Sequence, residues 1–94
     1  MNDDNLDKDH EDIVAYKTGG LLKAAEEVST EFLSAIRHYP PMVSPHEGLA
    51  IILEEYTELQ EEVFKQHDVR TKEAMRKEAK QVAAMALRFM VDLT

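Results

Sequence analysis

Helical periodicity, broken at only a few points, is what most restricts the fold of this chain. Apolar side chains recur at Val14, Leu21, Leu22, Ala25, Val28, Phe32 and Ile36, a helical spacing that predicts a first helix over residues 13–38. Gly19-Gly20 interrupts that pattern, and a break or bend is expected there. The helix should end at Tyr39-Pro40-Pro41-Met42-Val43, because Pro40 disfavours a helical residue before it. Ser44-Pro45-His46-Glu47 is a start signal: Ser44 can cap, Pro45 suits the first helical position and Glu47 completes a capping box. The second helix should run to about Gln66, with Leu49, Ile52, Leu53, Tyr56, Leu59 and Val63 as its apolar stripe. After a break at His67-Asp68, either Asp68 or Thr71 can cap a third helix. That helix carries Met75, Val82, Met85, Ala86, Phe89, Met90 and Leu93 on one side. No strand pattern and no repeat is present, so the expected fold is an all-α bundle of three or four helices.

Composition agrees and excludes several classes. Glycine and proline number three each, against plentiful Ala, Leu, Glu, Lys and Met. Ninety-four residues make one domain, read as an acidic tail over 1–12 and a helical domain over 13–94. A core this small is marginal, and without cysteine there are no disulfides or thiolate metal sites, which leaves oligomerisation as the remaining source of stability. A net charge of −8 argues against a nucleic-acid polymer as partner, since phosphate backbones require a basic surface. No apolar run approaches the ~18 residues of a membrane span, and the Met-Asn-Asp-Asp-Asn start lacks the parts of a signal peptide, so no membrane association and a cytoplasmic location are expected.

The tail, with Asp3, Asp4, Asp7, Asp9, Glu11 and Asp12, reads as a solvated segment. It fails as a calcium loop because Lys8 stands where glycine is needed and Val14 where glutamate is needed. The second helix is more informative. Its glutamates at 47, 54, 55, 58, 61 and 62 fall within an arc of roughly 120°. Solvated helices usually mix signs, yet Glu58 has only Glu54, Glu55, Glu61 and Glu62 at the three- and four-residue spacings. Four such like-charge pairs cost roughly 1–2 kcal/mol at low salt. A cation, or basic side chains from another helix, would remove that penalty. Glu55 and Glu58 lie one turn apart and can reach a single hard cation such as Mg²⁺ or Mn²⁺.

The third helix offers a counterpart. Glu78 sits about 40° from the centre of its apolar arc and so faces the interior, where a carboxylate must be paired, protonated or metal-bound. Gln81 flanks it one turn on. Arg70, Lys72, Arg76, Lys77, Lys80 and Arg88 also cluster here, and they can either neutralise the second helix or bind substrate phosphates. The four histidines form no Glu-x-x-His motif, and there is no phosphate-binding glycine loop or nucleophile signature.

The segment from His46 to Val63 resembles the first metal-binding helix of the MazG-like, all-α nucleoside triphosphate pyrophosphohydrolases. Their Glu-Glu-x-x-Glu motif is matched by Glu54, Glu55 and Glu58. Their second motif, Glu-x-x-Asp, corresponds to Glu78-Ala-Lys-Gln81, and residues 82–93 look like that helix's continuation in small phage-type members. The resemblance spans residues 44–93. It implies a four-helix core completed as a homodimer or homotetramer, with Mg²⁺-dependent cleavage of a nucleoside triphosphate to a monophosphate and pyrophosphate, as in cleansing of the nucleotide pool. By position, Glu55, Glu58 and Glu78 would be metal ligands, and Glu54 an accessory carboxylate that binds a further ion or positions the attacking water. Helix geometry adds Lys77 and Arg88 as candidate phosphate contacts.

Two departures qualify the resemblance. Gln81 stands where the family has aspartate; its amide oxygen can still ligate Mg²⁺, with one negative charge fewer. The chain also reaches Thr94 directly after the third helix, whereas other members build the nucleotide pocket with a further helix. These departures define the alternative expectation, a catalytically inactive helical oligomer that binds a nucleotide or a protein partner.

Overall fold

The computed structural model describes residues 18–94, and three helices make up its regular structure: α1 (Thr18–His38), α2 (Pro45–Val63) and α3 (Lys72–Leu93). No strand occurs among the described residues, so the protein is all-α as expected. The acidic tail and the start of the first expected helix lie outside the described residues. None of the helices is long and apolar enough to cross a membrane.

Local chemistry sets the helix starts. Ser44 is extended and its Oγ accepts from the Glu47 amide at 3.1 Å, with Pro45 in the first turn. Of the two candidate caps for α3 it is Thr71 that acts, its Oγ1 accepting from the Ala74 amide at 3.1 Å. Gly19-Gly20 lies within the first turn of α1 as described, and the chain before it lies outside the described residues. One boundary differs from expectation. α2 stops at Val63 rather than near Gln66: the Lys65 amide turns back to the Glu62 carbonyl and Arg70 Nη1 donates to the Val63 carbonyl at 3.3 Å, ending the regular ladder.

α3 is the shared support. Both α1 and α2 pack on it and do not meet each other, which leaves a cleft between them with α3 as its floor. α2 approaches α3 closely at Gly48, where a Cβ would lie 2.7 Å from Phe89 Cδ2 and 2.9 Å from Leu93 Cδ1. Glycine is needed there for proximity. α1 settles over Ala84, which is fully buried.

The apolar stripes are only half used. Ile52 and Leu59 of α2 are partly covered, but Leu49, Leu53 and Tyr56 remain 62%, 59% and 51% exposed, and Met90 of α3 is 61% exposed. The expected stripes are therefore only partly buried among the described residues. Periodicity identified an apolar face wider than the single helix that packs on it.

The most buried charged side chain is Arg88, 4% exposed. Its Nη1 donates to the Ala35 carbonyl at 3.0 Å, Nη2 to the Tyr39 carbonyl at 2.7 Å and Nε to Asp92 Oδ2 at 3.0 Å. Asp92 Oδ2 also accepts from the Met42 amide at 3.0 Å. The pair thus ties the end of α1 and the following loop to α3. Arg88, expected as a phosphate contact, has its guanidinium occupied by two backbone carbonyls and the Asp92 carboxylate. Arg88→Met should lower the unfolding free energy by about 3 kcal/mol, since it leaves the Asp92 carboxylate without its cation and removes the guanidinium bonds to the Ala35 and Tyr39 carbonyls. Arg88→Lys should fail to restore it, because an ammonium cannot span three acceptors held in that fork. Urea titration measures both, and a loss below about 1 kcal/mol for Arg88→Met would contradict the clasp.

Candidate functional site

The second helix holds its glutamates in register because 3.6 residues per turn stack positions 55, 58 and 62 along one edge. That edge meets α3 where Glu78 emerges. Glu55, Glu58 and Glu78 each offer a carboxylate oxygen, and all three oxygens lie within 4.8 Å of one another. Glu55 and Glu78 are half-buried and Glu58 is exposed. The sequence-predicted trio therefore converges at the α2–α3 seam.

The electrostatics of that seam are unfavourable as they stand. Glu55 is pushed up from 4.5 to about 7, first by burial, then by the charge of Glu58 and a hydrogen bond with it, and by Glu78 and Glu54. Glu78 is also raised, by burial and by Glu58, while Lys77 pulls it back and Glu62 adds to the rise. Beyond that through-space effect of Lys77, basic residues of α3 do not relieve this by pairing. Among the described residues the ion pairs are Lys65–Glu62 within the second helix and its exit, Arg76–Glu27 to α1, and Arg88–Asp92 within α3. None joins α3 to the acidic arc of α2, so direct neutralisation of that helix by the basic third helix is not what forms. Three oxygens this close, short of positive charge, suit a hard divalent cation by donor type.

A cleft adjoins the trio. About 620 Å³ of space lies between α1 and α2, with Glu54, Glu55 and Glu47 along one wall and Gln81, Met85 and Arg88 on the floor. Glu31, His38 and Tyr39 of α1 and its exit form the other wall, and Met42 lines it from the connecting loop. The volume is in the range of small-molecule sites. Glu54 is exposed here beside Glu55. Gln81 faces the same space, but its Nε2 donates to Glu31 Oε1 at 2.7 Å. Its amide nitrogen thus belongs to an α1–α3 contact. Lys77 is exposed and does not line the cleft.

Glu31 was not anticipated. It has no motif around it, and its part in the site arises from the way α1 leans on α3. Tyr39 and Met42 were read only as a helix terminator, yet both line the cleft. Comparison with protein-family models, curated proteins and solved structures returns no match.

The raised carboxylate fixes a pH dependence. Folded Glu55 holds its proton more tightly than the unfolded chain, so nothing is lost below about pH 4.5, where both are protonated. Between 4.5 and 7 the unfolded chain ionises first and the fold loses stability; above 7 that loss is complete. In chelator, the thermal midpoint should fall between those limits, and Glu55→Gln should flatten the fall. Mn²⁺ at ten times its dissociation constant should raise the midpoint by roughly 6–11 °C at pH 7.5 and have little effect at pH 5. A metal effect equal at both pH values would remove Glu55 from the site.

Proposed function

We propose that the protein is a divalent-metal-dependent nucleotide pyrophosphohydrolase that converts a nucleoside triphosphate to a monophosphate and pyrophosphate. The observation that carries this reading is the convergence of Glu55, Glu58 and Glu78 from two helices onto one point beside a cleft. The family-like motifs supply the reaction class, and the cleft supplies a volume suited to a nucleotide.

In this reading Glu55, Glu58 and Glu78 hold Mg²⁺ or Mn²⁺. Such an ion supplies Lewis-acid polarisation of phosphoryl oxygens. Glu54, exposed on the cleft wall next to the trio, orients the attacking water and takes its proton. Lys77 stays a candidate for outer phosphate oxygens, reached from outside the cleft. Gln81 contributes at most its amide oxygen, since its nitrogen is engaged by Glu31. That contact favours a second reading, in which the protein binds metal and nucleotide without turnover.

Pyrophosphate release from a panel of ribo- and deoxyribonucleoside triphosphates, with Mg²⁺ or Mn²⁺, separates the two. An active enzyme should lose roughly 100-fold or more on Glu58→Ala and on Glu78→Ala with helical content retained. Gln81→Asp should then raise activity at low metal concentration by restoring one negative charge. Nucleotide-dependent stabilisation without pyrophosphate would establish the binding reading instead. Neither release nor stabilisation with any nucleotide would remove both.

A further inference from the structure

The helix directions gather positive charge at one end of the bundle. α1 and α3 run side by side in the same sense, since Glu27 meets Arg76, Glu31 meets Gln81 and the Ala35 carbonyl meets Arg88. α2 runs against them, with Gly48 at Phe89 and Glu58 at Glu78. The start of α1, the end of α2 and the start of α3 therefore share one end. Between residues 65 and 77 that end holds Lys65, Arg70, Lys72, Arg76 and Lys77 against Asp68 and Glu73. Lys65 pairs with Glu62 and Arg76 with Glu27. Arg70, Lys72 and Lys77 are exposed and form no ion pair among the described residues. The connection from α2 to α3 is well tied. The Val69 and Arg70 amides both donate to the Gln66 carbonyl at 3.0 Å, and Arg70 Nη1 returns to the Val63 carbonyl at 3.3 Å. Phe64 and Val69 of that connection are 75% and 60% exposed, beside these cations.

We infer that this basic and apolar end is the docking surface for the chain's own acidic segment, residues 1–12, which seats on Phe64, Val69, Arg70 and Lys72. Three observations favour that occupant. The first is charge: residues 1–12 carry six acids against Lys8, which is five of the chain's eight excess negative charges. The second is place. Thr18 lies nine residues before Glu27, about 13 Å of helix, whereas Lys72 lies four before Arg76, about 6 Å. α1 thus begins beyond the start of α3, and the chain enters it at the basic end. At up to ~3.3 Å per residue, the preceding segment is long enough to cross that end. The third is pattern: Leu6 lies among the acids and Ile13 and Val14 follow them, apolar side chains to set against Phe64 and Val69. A foreign polyanion is the poorer occupant. A net charge of −8 repels it, and the tethered segment competes at an effective concentration on the order of millimolar. The inference is independent of the metal and nucleotide reading, since Arg70 and Lys72 take no part in that site.

A nitroxide carried on Asn5→Cys, in a chain with no native cysteine, tests this on the full protein by nuclear magnetic resonance. At about 10 mM salt, where the Debye length is roughly 30 Å, amide signals of residues 64–72 should lose intensity. Those of residues 42–48, at the opposite end, should keep theirs. Salt at about 0.5 M, where the Debye length is roughly 4 Å, should restore the lost signals. Asp3→Asn, Asp4→Asn and Asp7→Asn together should restore them too, and these change no residue of the three helices. Full intensity at residues 64–72 in low salt overturns the inference, as does a loss that salt leaves unchanged. Mixing the spin-labelled chain with an isotope-enriched chain that bears no nitroxide shows which copy the segment reaches. Signal loss in that mixture assigns the surface to the acidic segment of a second copy and overturns the inference. Full intensity together with retention on phosphatidylserine vesicles assigns the surface to a membrane and overturns it as well.

Discussion

The architecture depends on how the Arg88 guanidinium is used. α1 and α2 make no contact with each other, so the angle between them is set by what each does against α3. For α2 that is close packing at Gly48, and for α1 it is the fork from Arg88 to the Ala35 and Tyr39 carbonyls. Those carbonyls belong to the end of α1, where the macrodipole is negative. The Ala35 carbonyl already accepts from the Tyr39 amide at 2.9 Å, so Arg88 adds a second bond there, and it brings a positive charge to the negative helix end. Asp92 then balances the charge and also holds the Met42 amide, so the loop between α1 and α2 is fixed by the same pair.

The carboxylate seam is the opposite kind of interaction. The Arg88–Asp92 pair satisfies buried charge, whereas Glu55, Glu58 and Glu78 concentrate it without a counter-ion. Burial and mutual repulsion raise two of the three. A fold selected only for stability would place Leu or Gln at 55 and 78, since both positions are half-buried. The basic residues that could relieve the strain are directed elsewhere: Arg76 Nε reaches Glu27 at 3.0 Å on α1, and Lys77 acts on Glu78 only through space. A local conflict of this kind, in a chain that otherwise obeys its patterns, is where a ligand-dependent role is expected.

Local rules were readable in the sequence because their partners are close in the chain. The Ser44 and Thr71 caps need only the next three residues, and both form as read. The meeting of Glu55, Glu58 and Glu78 was readable for a related reason: periodicity fixes which face each occupies, and a short connection forces α2 and α3 to be antiparallel neighbours. What failed involves α1, whose contacts span some fifty residues. The Gln81–Glu31 bond and the fork from Arg88 depend on the tilt of α1, which no spacing encodes. Arg88 and Asp92 stand at a legible four-residue spacing, but spacing alone describes an exposed pair as well as a buried one. Leu49, Leu53, Tyr56 and Met90 illustrate the converse limit: a pattern reveals that a face is apolar but not what covers it.

The division of α2 into three arcs explains how one helix can serve a seam, an acidic cleft wall and an exposed apolar side. Its apolar stripe spans about 120°; the side at Ile52 and Leu59 is partly covered, and the side at Leu49, Leu53 and Tyr56 is exposed. Its acidic arc, also about 120°, lies on the other side of the helix. Because the exposed apolar side and the acidic side are opposed across the helix, covering the first leaves the second open to solvent. The reverse arrangement, with glutamates beside Leu53 and Tyr56, would bury carboxylates wherever that apolar side became covered. Segregating the arcs places the two sources of instability in this small chain, unburied apolar surface and uncompensated carboxylates, on opposite sides of one helix.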